Sequence, residues 1–119
     1  MTVYGSQWGL CSNSIHYLDT FCFLNGDNRI SLSKNFFSES IVKTKRSGTY
    51  EFSGEARFDG LKKSSLELIC MPKKNFFYKI CFKNKHEIYC VDHINDTMEI
   101  KNLRKRKIKK EKIILEKQS

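Results

Sequence analysis

Polar and apolar residues alternate through Thr49–Phe58 (TYEFSGEARF), and this stretch decides the fold more clearly than any other in the chain. A period of two is the signature of a half-buried β-strand. One side of such a strand would face a hydrophobic core and the other would face water. The apolar residues that would share the inner face are Tyr50, Phe52, Ala56 and Phe58.

Asp59-Gly60 follows this stretch and predicts a hairpin to a second strand at Leu66–Met71. A strict two-residue loop would mix core and solvent faces, because a slip of one residue turns every side chain over. One further residue in the loop would pair Phe52 with Leu68 on the core face. We therefore predict a three-residue or bulged turn.

Two more dipeptide signals predict hairpins. Asn84-Lys85 predicts one whose apolar face carries alternate residues from each strand, namely Tyr78, Ile80, Phe82, Tyr89 and Val91. Asn25-Gly26-Asp27-Asn28 predicts another, which would join Ile15–Leu24 to Arg29–Ser33 as paired strands.

Together with Ile41–Lys45, these segments amount to seven to eight short strands at a spacing of roughly ten residues, which favours an all-β, mainly antiparallel fold, a small barrel or sandwich. Residues 1–96 would form this β-rich body. Asp96 and Glu99 stand in a capping-box arrangement, which predicts a helix from near Thr97. Residues 97–119 would then be a basic C-terminal helix or tail of the same single domain; a strand at Ile113–Leu115 or a disordered end are the alternatives.

The chain has 119 residues, which fits one domain. No stretch approaches the roughly 18 apolar residues of a membrane span, and the N-terminus lacks the pattern of an export signal. Five cysteines, an odd number, lie mostly in apolar, strand-like runs, which favours reduced thiols. These features predict a cytoplasmic protein, or a secreted one if a signal has been removed.

Charge is the strongest functional signal. The net charge is +9, and Lys101–Ser119 holds +7 of it. Clustered cations attract polyanions, so we predict a non-enzymatic binding module for nucleic acid or, less favoured, an anionic membrane surface. The predicted binding residues are Arg104, Lys105, Arg106, Lys107, Lys109, Lys110 and Lys112 of the tail, with help from Lys43, Lys45 and Arg46.

Two alternatives stay open. The chain could be a protein-interaction module that uses the mixed face of the Phe76–Val91 hairpin or an open sheet edge, with the tail as a solubility device. It could also be a small basic ribonuclease that uses two of its three histidines (His16, His86 and His93) as acid and base, with Glu87 or Asp92 orienting one ring and Lys79 facing the phosphate.

A metal site formed by cysteines and histidines is a weaker hypothesis than the functions above. Cys81, His86, Cys90 and His93 are of the types that bind zinc, but no Cys-x-x-Cys clamp is present and the hairpin places His93 on the other face. We therefore predict no metal, no cofactor and no catalytic residues.

Overall fold

A computed structural model describes residues 1–43, 47–48, 50–72, 77–105 and 107–112. Within these ranges the chain forms eight strands and one helix. In chain order they are β1 (Thr2–Ser6), α1 (Leu10–Asn25), β2 (Ser31–Lys43), β3 (Tyr50–Asp59), β4 (Ser65–Met71), β5 (Tyr78–Lys83), β6 (Glu87–Asp92), β7 (Thr97–Asn102) and β8 (Lys107–Lys112).

The described strands form a single mixed sheet in the order β2-β3-β4-β1-β5-β6-β7-β8. Strand β1 lies at its centre, parallel to β4 and antiparallel to β5. The prediction of a mostly β fold is confirmed, but the predicted barrel or sandwich is wrong, because the sheet is open with β2 and β8 at its edges. Helix α1 supplies the second layer that a barrel or sandwich would make from strands.

The largest error concerns α1, since Ile15–Leu24 is helical and does not pair with Arg29–Ser33. Its inward residues follow the helical period: Leu10 and Phe21 are buried, and Tyr17 and Leu18 pack against the core. Gly26, interpreted from the sequence as part of a hairpin turn, ends the helix instead. It takes a left-handed conformation, with φ of 69°, and donates to the Phe23 carbonyl.

The first turn of α1 is capped by a side chain from strand β3. Its N-cap residue is Gly9, which has no side chain to accept a hydrogen bond. The carboxylate of Glu51 on β3 accepts instead, from the Cys11 N–H at 2.8 Å and the Ser12 N–H at 3.0 Å. Glu51 therefore satisfies two of the backbone donors that a helix start leaves open.

We expect Glu51→Ala to lower the free energy of unfolding by about 1–2 kcal/mol, the range of a lost helix cap. Urea unfolding measures this change. Glu55→Ala is the matched control, because Glu55 lies on the same strand, is exposed and carries the same charge. Equal losses in the two variants would contradict the capping role.

The core lies between α1 and the centre of the sheet. Val3, Leu66 and Leu68 are fully buried there, and Trp8 is buried beside them. The indole N–H of Trp8 donates to the Ile69 carbonyl at 2.8 Å, so the one polar atom of this ring is satisfied.

The hairpin from β3 to β4 has the predicted faces and a different register. Ala56 pairs with Leu68 and Phe58 with Leu66, so the same alternate residues face the core. The prediction of Phe52 beside Leu68 is wrong, because the connection is Gly60–Ser64 and not three residues. The observed register differs from the predicted one by an even number of residues. Each residue therefore has a different partner, but its side chain stays on the predicted face of the strand.

The hairpin from β5 to β6 is confirmed in its faces, with Ile80 opposite Val91 and Phe82 opposite Tyr89. On the other face Cys81 and Cys90 stand directly opposed, with Cα atoms 4.1 Å apart, and form a disulfide. The prediction of reduced thiols is wrong for this pair, because the register brings the two sulfur atoms together. Cys11, Cys22 and Cys70 are free.

The predicted C-terminal helix is also wrong over the described residues. Thr97–Asn102 and Lys107–Lys112 form an antiparallel hairpin, and residues 106 and 113–119 lie outside the described part of the chain. Met98 and Ile100 alternate, as a strand requires, and continue the row of Val91 and Tyr89 on β6. This match to the neighbouring strand outweighs the local capping signal.

Candidate functional site

The structure separates the basic residues that the sequence grouped together. Arg104 and Lys105 lie in the turn between β7 and β8, and the predicted lysines that follow lie on β8. Lys107 and Lys109 face one side of the sheet, whereas Lys110 and Lys112 face the other. Arg106 lies outside the described residues.

Lys43 does not join this group. It ends β2 on the opposite edge of the sheet, seven strand spacings or roughly 33 Å from β8. Lys45 and Arg46, which we predicted beside it, fall outside the described residues.

Two of the β8 lysines are partly neutralised. Lys109 is 2.9 Å from the Glu111 carboxylate, and Lys110 is 3.9 Å from that of Glu99 on β7. The hydrogen bond to Glu111 raises the pKa of Lys109 above its ordinary value. Strand β8 is therefore a weaker anion site than its composition suggested.

A different set of cations meets at one end of the sheet. Three connections lie there: β3 to β4, β5 to β6 and β7 to β8. They share this end because Thr2, at the start of β1, pairs with Glu67 near the start of β4 and with Cys81 near the end of β5. The Leu103 N–H donates to the His86 carbonyl at 2.8 Å and ties two of the turns together.

We call this set the cationic end. Its side chains are all exposed, and none of them forms an ion pair with a described residue. It consists of Lys62, Lys63, Lys83, Lys85, Arg104 and Lys105.

Two nearby carboxylates, Asp27 and Asp59, are bound mainly by arginines outside the cationic end, and Lys62 adds a weaker electrostatic interaction with Asp27. Asp27 receives a 2.7 Å contact from Arg29, whose hydrogen bonds hold the pKa of Asp27 at about 2. Asp59 is bound by Arg57 at 3.2 Å. Unpaired positive charge is therefore concentrated along this end, as a polyanion site requires.

The turn between β3 and β4 holds its two lysines in a costly conformation. Lys62 and Lys63 both have φ of 59°, and the Ser64 N–H donates back to the Leu61 carbonyl. Positive φ at both central residues defines a type I′ turn, which normally carries Asn-Gly. Residues with a Cβ pay about 1–2 kcal/mol each for this conformation.

We expect the double substitution Lys62→Asn, Lys63→Gly to raise the free energy of unfolding by about 1 kcal/mol, since these residues suit a type I′ turn. The matched control is Lys62→Gln, Lys63→Gln, which removes the same two charges and keeps the unfavourable backbone. Thermal unfolding of both variants separates turn strain from charge. A gain of the same size in both would contradict the strained turn.

Four members of the cationic end were not among the residues predicted from the sequence, namely Lys62, Lys63, Lys83 and Lys85. A signal was present, because each predicted hairpin turn in this part of the chain is flanked by or contains lysine. What the sequence did not show was that these turns lie at the same end of one sheet.

The histidines proposed for a ribonuclease do not come together. His86 and His93 lie in turns at opposite ends of β6, seven residues or roughly 20 Å apart. His16 is exposed on α1. Among the described residues there is also no cluster of three or more metal-binding side chains.

We compared the chain with models of protein families, with curated proteins and with solved structures, and none of the three comparisons gave a match. Within the described ranges, the helical segment is too short and too polar to cross a bilayer.

Proposed function

We propose that this protein is a non-enzymatic binding module for polyanions, and that nucleic acid is its ligand. The observation that carries the proposal is the cationic end, with its six exposed cations that have no ion-pair partner among the described residues. Lys107 at the start of β8 extends it along the edge.

The shape of the cationic end favours a linear polymer over a lipid surface. Its turns lie in a row across five strand spacings, roughly 24 Å, since neighbouring strands are about 4.8 Å apart. A nucleic acid strand presents phosphates in a row, about 3.4 Å apart along each strand of a duplex. A membrane surface would be engaged better by a flat face than by such a row.

A pair of lysine substitutions tests the proposal. We expect Lys83→Gln, Lys85→Gln to weaken binding to a labelled oligonucleotide and to reduce the slope of log K against log salt. Each lost phosphate contact on a single strand lowers that slope by about 0.7. Fluorescence anisotropy over a salt series measures both quantities.

The control removes two exposed charges elsewhere, with Lys34→Gln, Lys43→Gln on β2. An equal loss in this variant would show that net charge alone drives binding and would refute the proposed surface. Anionic vesicles form a parallel arm, and tighter binding to them at equal salt would refute nucleic acid as the ligand. Point variants are used because removing Lys101–Ser119 would also delete β8 and the last two residues of β7.

A second candidate function is protein interaction through the edge strand β2. Its exposed apolar side chains include Phe36 at 69% and Ile41 at 65% of their accessible surface. An open apolar edge is a template for a further strand. The register shift between Phe37 and Ile41 divides the edge into two short segments.

If β2 pairs with β2 of a second copy, the protein will show concentration-dependent association in light scattering. We expect Ile41→Lys to abolish it, because a charge on the paired edge is poorly tolerated. The matched control is Ile108→Lys on the other edge, where the side chain is 57% exposed. A protein that stays monomeric at all concentrations, or a loss in both variants, would contradict pairing through β2.

A further inference from the structure

A cleft of about 320 Å³ opens at the cationic end, between the C-terminal turn of α1 and the sheet. Leu24 and Asn25 line it from the helix, Lys63 from the β3–β4 turn, and Phe82 and Lys83 from the end of β5. Its volume is at the lower end of the range of about 300–1,000 Å³ for small-molecule sites. The cleft is therefore large enough for one planar ring system.

Asn25 lines the cleft at the end of α1, and its amide nitrogen is packed against Gly60. Its Nδ2 is buried and has no hydrogen-bond partner among the described residues. Leaving such a donor unpaired costs free energy in the unliganded protein. Because Nδ2 has almost no accessible surface, a base in the cleft would reach it only if the Asn25 side chain turned, so Phe82 and the two lysines are the groups that recognise a ligand here.

The charges around the cleft favour an anion beside that base. Lys63 and Lys83 line it and have no ion-pair partner among the described residues. The end of α1 opposes them with a partial charge of only about −0.5. Phosphate groups on both sides of a bound base would therefore be attracted.

Phe82 offers a surface for stacking. Its ring is half-buried and lies outside the cluster that forms the core among the described residues. Tyr89 is its direct cross-strand neighbour. The hydrogen bond from the Tyr89 hydroxyl to Glu87 raises the pKa of Tyr89.

We infer that this cleft binds one unpaired base of a single-stranded nucleic acid, stacked on Phe82, with Lys63 and Lys83 on the flanking phosphates. The inference rests on the proposed function and narrows its ligand. A base inside a duplex is stacked and paired, so only an unpaired base reaches such a site.

The test compares oligothymidylate with an abasic oligonucleotide of the same length and charge. We expect the wild-type chain to bind oligothymidylate about tenfold more tightly, the gain of one stacked base. Phe82→Ala should abolish this preference while its affinity for the abasic strand stays within about twofold of wild type, because the phosphate contacts remain. A parallel measurement with oligouridylate shows whether the ligand is RNA or DNA. Tighter binding of either oligonucleotide than of the abasic strand supports base binding in the cleft.

The matched control is Phe36→Ala, which removes an exposed ring from β2 and should keep the base preference. Phe82→Trp restores a stacking surface and should also keep it, which covers the case in which Phe82→Ala does not fold; circular dichroism checks the fold of each variant. Equal wild-type affinity for the two oligonucleotides would overturn the inference and leave the proposed function standing. Tighter binding to a duplex would also overturn it, and a failure to bind either oligonucleotide would defeat both proposals.

Discussion

The rest of the structure depends on the pairing of β1 in the middle of the sheet. This strand of five residues pairs in parallel with β4 and antiparallel with β5, and so joins β2–β4 to β5–β8. Val3, its second residue, is fully buried. The next inward position is Gly5, where a Cβ would lie 2.3 Å from the Phe77 carbonyl oxygen, so only glycine fits.

The direction of β1 also decides where the charges meet. Because β1 runs parallel to β4, the turn before β4 lies at the same end as the turn after β5. An antiparallel pairing with β4 would place Lys62 and Lys63 at the opposite end from Lys83 and Lys85. The cationic end is thus a product of topology, assembled from three turns that span residues 60–106 of the chain.

Local patterns predicted the strands and their faces, while long-range contacts decided the rest. Alternation located β3 and β4 and the inner face of the β5–β6 hairpin. It failed at α1, because the residue that caps the helix is Glu51, about 40 positions along the chain. It failed again at Thr97, where the row of apolar residues on β6 selects a strand over the helix that Asp96 and Glu99 favour locally. For the candidate site, composition predicted a polyanion ligand, but no local signal could show which cations lie together.

The structure also divides the basic residues into two groups with different physical roles. Lysines on the edge strand β8 point to both faces, and Lys109 and Lys110 lie beside carboxylates. Charges of this kind protect an edge strand from pairing with another chain. The lysines of the turns protect no edge, and two of them occupy an unfavourable backbone conformation. Unpaired like charges and local strain are features for which a bound ligand compensates, and they coincide at the turns and not on the edge strand, which is why the proposed binding surface is placed at the turns.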